Sequence, residues 1–402
     1  MPRKPMSGPR LGALLQDLSL GALLRVIPTD LVEEALESTG RQSKRQRLLP
    51  APAMVYLAIM LALHAETSIR EVLRMLLAGL RQRFGLDRVQ VAGGTAISFA
   101  RRRLGAAPLA WLFDRVAHPV GDADQPSFRW HGWRPVAVDG TVADVQCTEA
   151  NTARFGRYGN QHGAAAYPQV RVVSLLECAT RAPFGFAYGS GRANEGKLAD
   201  RLLDRLDPDM LVLADRGFYS FARWRDWSGR CGALVWRVVG KLSLKPVEKL
   251  PDGSFLAWIR PSRSLCREGF AKPDEKLKVR VVRYRPVMAD GSCGETVVLI
   301  TTILDPELAG AEELAALYPT RWAAETGFDE LKTHLRGPGR ILRGQLPELV
   351  EQELYGFFLA YYVVRATMAE AAARTGDPPD RLSFVHAVRV IRRHTALFSS
   401  AK

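Results

Sequence analysis

RPVAVDGT, residues 134–141, is the stretch on which the fold turns, because an apolar run carries the chain to Asp139 and Gly140 follows at once. A buried strand of this kind delivers a carboxylate to its exit, and glycine then turns the chain. LVLADRG, residues 211–217, repeats the arrangement around Asp215. Two strand ends that each present an acid predict a mixed α/β architecture with a crevice at those ends, where side chains sit on rigid elements yet reach a cleft. Singly, each acid reads as a turn former or a helix cap. Together they suit a hard divalent cation such as Mg²⁺, which takes carboxylate oxygens in near-octahedral geometry, and a two-metal site needs several acids close together.

Outward from these strands the texture continues. Short β-branched runs fall at 136–138, 170–176, 210–214, 234–239, 279–284 and 296–303, with helical spacing at 195–206 and 218–228. Strand and turn signals dominate residues 231–305, including Pro251-Asp252-Gly253 and Asp290-Gly291, and predict a β-rich insertion. Residues 1–125 read as short helices, with Thr29, Thr67 and Thr95 as expected N-caps and Gly40, Gly85 and Gly105 as stops. Helical patterns return over 347–374 and 381–394, divided at Gly376-Asp377-Pro378-Pro379.

A third acid lies in YPTRWAAETGFDELK, residues 318–332. On a regular helix, the offsets from Tyr318 place Arg321, Glu325 and Lys332 within about 60° of one another. Phe328, Leu331 and Leu335 fall on the adjoining face, so the helix can pack on a sheet while its polar stripe faces a cleft. Glu325 would complete the metal cage while Arg321, Lys332 and the Tyr318 hydroxyl hold phosphates. The plain alternative is a surface helix with Arg321 and Glu325 paired at i, i+4.

The 402 residues carry 56 Lys+Arg against 42 Asp+Glu, a formal charge of +14 that favours a polyanionic partner. Lys44, Arg45 and Arg47 precede an apolar helix, and Arg101, Arg102 and Arg103 follow a tight Ala92-Gly93-Gly94 turn. These residues suit a helix-turn-helix touching phosphate, or a solvated helix surface. Asp144, Glu149 and Glu195 read as spare ligands or as capping acids, and His162 as a phosphate contact or a surface residue. The five cysteines show no CxxC pair, so neither zinc nor a disulfide framework is indicated. No apolar run reaches the roughly 20 residues a bilayer requires, which predicts a soluble, cytoplasmic protein.

The chain resembles the insertion-sequence-four family of DDE transposases, whose signature is Tyr, two residues, Arg, three residues, Glu, six residues, Lys; Tyr318, Arg321, Glu325 and Lys332 match every spacing. The segments Asp139-Gly140-Thr141 through Asn151–Gly156, and Asp215–Tyr219, resemble the regions of the family's two aspartates. The resemblance implies an RNase H-like core interrupted by a β-rich insertion. It divides the chain into a helical N-terminal DNA-binding domain (1–125), a first core part (126–230), the insertion (231–305), the Glu-bearing helix (306–340) and a helical C-terminal region (341–402). It implies catalysis by Asp139, Asp215 and Glu325 with two Mg²⁺ ions, Mn²⁺ standing in. The partner would be double-stranded DNA at terminal inverted repeats and at a target, bound by a homodimer in a synaptic complex on the bacterial nucleoid. Some relatives receive a flipped base on a tryptophan late in the insertion. The strand here, Glu295–Thr301, has none, which leaves Trp236 and Trp258 as stacking candidates or as strand-packing residues. The rival classes are a metal-dependent nuclease without strand transfer and a catalytically silent DNA-binding repressor.

Overall fold

Strand β1 runs from Arg134 to Asp144, well past the exit expected at Asp139. Gly140 does not turn the chain; it pairs with Val173 of β2 (Gln169–Glu177). Its missing side chain serves a different need, since a Cβ there would lie 2.9 Å from the Glu195 carboxylate. The computed structural model describes residues 22–43, 49–84, 91–121, 125–159, 165–240, 242–287 and 290–396.

Beyond β2 come β3 (Pro183–Ser190), β4 (Met210–Ala214), β5 (Ala233–Arg237), β6 (Pro246–Lys249), β7 (Phe255–Ile259), β8 (Leu277–Tyr284) and β9 (Val297–Thr301). All nine form one sheet in the order β3-β2-β1-β4-β5-β9-β8-β7-β6. Strands β4 and β5 lie parallel to β1, and every other pairing is antiparallel. The residues read as an insertion from 231 therefore do not form a layer of their own. β5 is buried almost throughout, as a central parallel strand must be, and Val235 pairs with Thr301 of β9, so the insertion extends the sheet edge to edge. β3 had no clear sequence signal because Pro183, Gly185 and Gly189 interrupt it, although Phe184, Phe186 and Tyr188 keep a period of two.

The pleat sorts the layers. Val136 and Val138 of β1 pack with Val212 and Ala214 of β4 against α7 (Glu195–Asp200) and α8 (Phe221–Ser228). Ala137 and Ala143 point the opposite way, into a core made with the terminal helices. Those helices are α1 (Thr29–Ser38), α2 (Ala51–Leu63), α3 (Ile69–Phe84), α4 (Gly94–Leu104) and α5 (Ala107–Val116) before the sheet. Helices α6 (Glu149–Phe155) and α9 (Arg263–Arg267) fall within it, and α10 (Ala311–Leu317), α11 (Trp322–Asp329), α12 (Pro347–Thr375) and α13 (Phe384–Ala396) come after. Pro28 and Gly93 take the cap positions assigned to Thr29 and Thr95, without a side-chain bond. Ser68, not Thr67, accepts from the Glu71 N–H at 3.3 Å.

Helix α2 is apolar all round, with 12 of its 13 residues buried, and such a helix needs cover on every side. α12 supplies much of it, so the N-terminal helices share one core with the C-terminal helix instead of standing apart. Their backbones meet at Gly356, where a Cβ would lie 2.6 Å from the Ala58 carbonyl oxygen. Because that neighbour is backbone within a packed helix, Gly356→Ala should destabilise the protein by about 1–3 kcal/mol, read as a lower urea midpoint with unchanged slope.

The single helix expected over 318–332 is three segments. Tyr318–Arg321 forms a 3₁₀ turn behind Pro319, α11 comes next, and Glu330–Leu335 forms a π turn. The widened turn accompanies a buried acid. Glu330 accepts from the Tyr361 hydroxyl at 2.8 Å and from Arg181 at 2.9 Å, and it pairs with buried Arg365 of α12. A π turn of this kind admits one extra residue and re-aims the side chains after it.

Candidate active site

Val138 of β1 and Ala214 of β4 are register partners on neighbouring parallel strands, and the next residues are Asp139 and Asp215. Strands in such a pair lie about 4.8 Å apart, so the two carboxylates leave the sheet side by side. Asp139 accepts its neighbour Gly140's N–H at 2.8 Å. Both acids share strand parity with residues that face α10 to α12: Ala137 on β1, Leu211 and Leu213 on β4.

The 3₁₀ turn then brings the signature residues to these acids. Tyr318 is buried, and its hydroxyl donates to Asp215 at 3.3 Å. The Arg321 guanidinium, also buried, reaches Glu325 at 2.8 Å and Asp139 at 3.9 Å, with its carbon 5.9 Å from the Tyr318 ring centre. Its Nε has no hydrogen-bond partner among the described residues. The i, i+4 pair foreseen as the plain alternative thus exists, but at a buried arginine that also faces Asp139. Arg237, at the end of β5, approaches Asp215 at 3.8 Å and was missed because nothing in the sequence shows that β5 lies next to β4. Lys332 is half-buried; burial and then Arg336 lower its pKa, and Asp329, Asp139 and Asp144 pull the other way.

Glu195, expected as a spare ligand or a capping acid, does not cap. Asn194 caps α7 instead, accepting from Lys197 N–H at 3.0 Å, which frees Glu195 to lie against Gly140 and pair with Arg171 at 2.8 Å. Burial first, then the neighbouring Glu325 and Glu195 charges, push the Asp139 carboxyl up to about 6, against the lowering effects of the Gly140 N–H and Arg321. Glu149 sits in the first turn of α6 behind the Thr148 cap, and Asp144 accepts from Gln169 at 3.0 Å.

Other candidates move away. Trp236 is fully buried, edge-on to Trp224 and Trp227 at 5.3 and 5.5 Å, so it packs the core and offers no face to a base. Trp258 lies half-buried on β7 with Lys276 Nζ 4.5 Å over its ring. Among the described residues, Trp322, next to Arg321 in the chain, is an exposed tryptophan. Arg101 is buried and donates to Gln352 of α12 at 2.8 Å, which removes it from any DNA surface; it was misread because the face of α4 it occupies meets α12. Arg102 is exposed near Glu348 at 3.7 Å, and Arg103 donates to the Leu49 carbonyl at 3.1 Å. Lys44, Arg45, Arg47 and His162 lie outside the described residues.

Residues 130–363 match the family model described as transposase DDE domain, and residues 17–114 match that described as insertion element 4 transposase N-terminal. The chain is a DDE transposase of the insertion-sequence-four family. Among its relatives is the transposase InsG for insertion sequence element IS4 of Escherichia coli (strain K12), 27% identical over 370 residues, which are 90% of this chain and 80% of that one. A putative transposase InsZ of the same organism is 26% identical over 198 residues, 48% of this chain and 62% of its own. A chain of the piggyBac transposase synaptic complex with hairpin DNA superposes with a TM-score of 0.44 and 12% identity, covering 96% of this chain and 80% of that one.

A DDE transposase cuts DNA and joins its strands with the help of divalent metal. The donor set here suits a hard cation, since all three acids supply carboxylate oxygen. Among the described residues no three ligating side chains already form a cage. Arg321 instead holds Asp139 and Glu325 apart from one another across its fork. In the transposase, Tyr318→Phe should slow cleavage by up to about 10-fold, the value of one hydrogen bond that orients Asp215, with end binding unchanged in a gel-shift titration.

Proposed function

We propose that the transposase cuts at the terminal inverted repeats of its own element and pastes the freed 3′ ends into target DNA, with Asp139, Asp215 and Glu325 as metal ligands. The observation that carries this is the convergence of all three acids on one pair of side chains: Arg321 faces Asp139 and Glu325, and Tyr318 holds Asp215. Two Mg²⁺ ions, or Mn²⁺ in their place, would activate the attacking oxygen and neutralise the leaving 3′ oxygen. Asp139, which faces Arg321 as Glu325 does, would be one of the residues that hold them. Arg321 and Lys332 hold the phosphates on either side of the scissile bond, and Tyr318 keeps Asp215 turned toward the cleft. Arg321, now paired with Glu325 and facing Asp139, would turn its guanidinium to phosphate, leaving both carboxylates free to hold metal.

The order β3-β2-β1-β4-β5, with β1 antiparallel to β2 and parallel to β4 and β5, supports an RNase H-like core. On that reading the helices of residues 1–125 engage the inverted repeats, and two copies meet in a synaptic complex on nucleoid DNA. No helix among the described residues is long and apolar enough to cross a membrane. Purified protein incubated with labelled element ends, a target duplex and Mg²⁺ should give joined products. Nicks alone, or retarded but intact DNA, would overturn the proposal.

A further inference from the structure

The arginines withdrawn deepest into the protein have direct partners: Arg101 donates to the Gln352 side-chain oxygen, and others face acids. Arg134 pairs with Glu177, Arg223 with Asp200, Arg280 with Asp252 and Arg365 with Glu330. Arg336, at the end of the π turn, differs. It is mostly withdrawn from solvent, yet its side chain makes no hydrogen bond or ion pair among the described residues, and its buried Nε is without a partner. Asp144 and Glu353 act on it only from beyond contact distance, and burial outweighs them, lowering its pKa. Lys332, one turn earlier, is a second half-buried cation. These two cations border a narrow, mostly apolar crevice with Thr141 and Ala143, on the half of β1 that leads away from Asp139.

Arg336 also borders a pocket of about 290 Å³, together with Arg340, Arg343, Tyr167 and Glu353. Its other charges are engaged. Arg343 donates to the Thr67 and Leu61 carbonyls and lies 3.9 Å from buried Glu353, which also accepts the Gly344 N–H at 2.9 Å. Arg340 reaches Glu66 at 3.9 Å and the Ala65 carbonyl, on an exposed rim. Arg336 remains the cation without a direct partner, and the group that would complete the pocket is an anion. The pocket's position is fixed by backbone, since Leu342 N–H donates to the Asp144 carbonyl at 2.9 Å and Leu342 bridges Val145. From Asp139 to Asp144 the strand rises about 16 Å.

We propose that Arg336, with Arg340 and Tyr167 at the rim, is a second phosphate pocket that grips the DNA backbone about five base pairs from the scissile phosphate. The proposal rests on the assignment of Asp139 to the cutting site. It makes β1 a ruler: Asp139 marks the cut at one point, and Arg336 holds the same duplex further along.

The test is equilibrium binding of labelled element ends in EDTA, where no cleavage intervenes, using wild-type protein and Arg336→Gln, each checked for its melting temperature. The variant should bind about 10-fold more weakly at roughly 0.1 M salt, and its log K against log salt should be shallower by about 1, the loss of one phosphate contact. On the wild-type protein, single methylphosphonates placed four to six nucleotides from the cut should weaken binding, and they should add nothing to Arg336→Gln. This arm needs no variant to fold. Unchanged affinity and slope in a folded Arg336→Gln, or a methylphosphonate scan flat over those positions, would overturn the pocket while leaving the acid assignment intact. An Asp139→Asn protein that still cleaves, with the Arg336 effects present, would sink the acid assignment and remove the ruler. If inorganic phosphate raised the melting temperature through Arg336 while DNA affinity ignored it, the pocket would belong to a free anion and the proposal would fail.

Discussion

Asp139→Asn should lower the rate of end cleavage by at least about 10³-fold while making the metal-free protein more stable at pH 8. The two effects have one cause. The folded carboxyl is raised from 3.8 to about 6, chiefly by burial, so the native state binds this proton more tightly than the unfolded chain does. Stability from this group is therefore full below pH 3.8, declines between there and pH 6, and is lost above. A carboxylate held charged at pH 8 then costs about 1–3 kcal/mol, and neutral asparagine removes that cost. Melts in EDTA should show a gain for the variant at pH 8 that shrinks toward pH 4, and Mg²⁺ should stabilise the wild type more than the variant. Cleavage that survives at the wild-type rate, or an asparagine variant less stable at pH 8, would contradict the assignment.

Arg365→Met should be the most destabilising single change outside the site. Glu330 is buried beneath α12, and without Arg365 it keeps only Arg181 and the Tyr361 hydroxyl. Leaving one half of a buried pair costs about 3–5 kcal/mol, whereas replacing both halves by apolar groups is often near neutral. The double variant Glu330→Leu, Arg365→Met should recover most of that loss in a urea titration. A double variant no more stable than the single one would show that the pair's role is not electrostatic. The recovered protein should still cleave slowly, because Glu330 begins the π turn that carries Lys332.

The acids were legible from residue type and order, whereas neighbours in space that lie far apart along the chain were not. Asp139 stood out because valines lead to it, but the strand's true length did not: Gly140 imitates a turn and in fact makes room for Glu195. Tyr318, Arg321, Glu325 and Lys332 were legible through their spacing, although a regular helix was the wrong path to their convergence. The 3₁₀ and π turns depend on Pro319, which is visible, and on the Glu330 to Arg365 contact, which spans 35 positions and is not. Arg101 shows the same limit from the other side. Three consecutive arginines look like one surface patch, yet one of them is a core residue because α12 passes beside it. The insertion's strands were legible as strands, while their hydrogen bonding to β5 had no local signal.

The long separation between α2 and α12 has a consequence for how this chain is made. α2 leaves the ribosome with apolar residues on every face, and its main cover begins at Pro347, more than two-thirds of the chain later. At roughly 5–20 residues per second, that interval lasts roughly 15–60 seconds. Until then α1, α3 and α4 cover only part of α2, and the face that α12 will occupy stays open on the nascent polypeptide. A helix made near the end of the chain is therefore the one that closes the first core to be started.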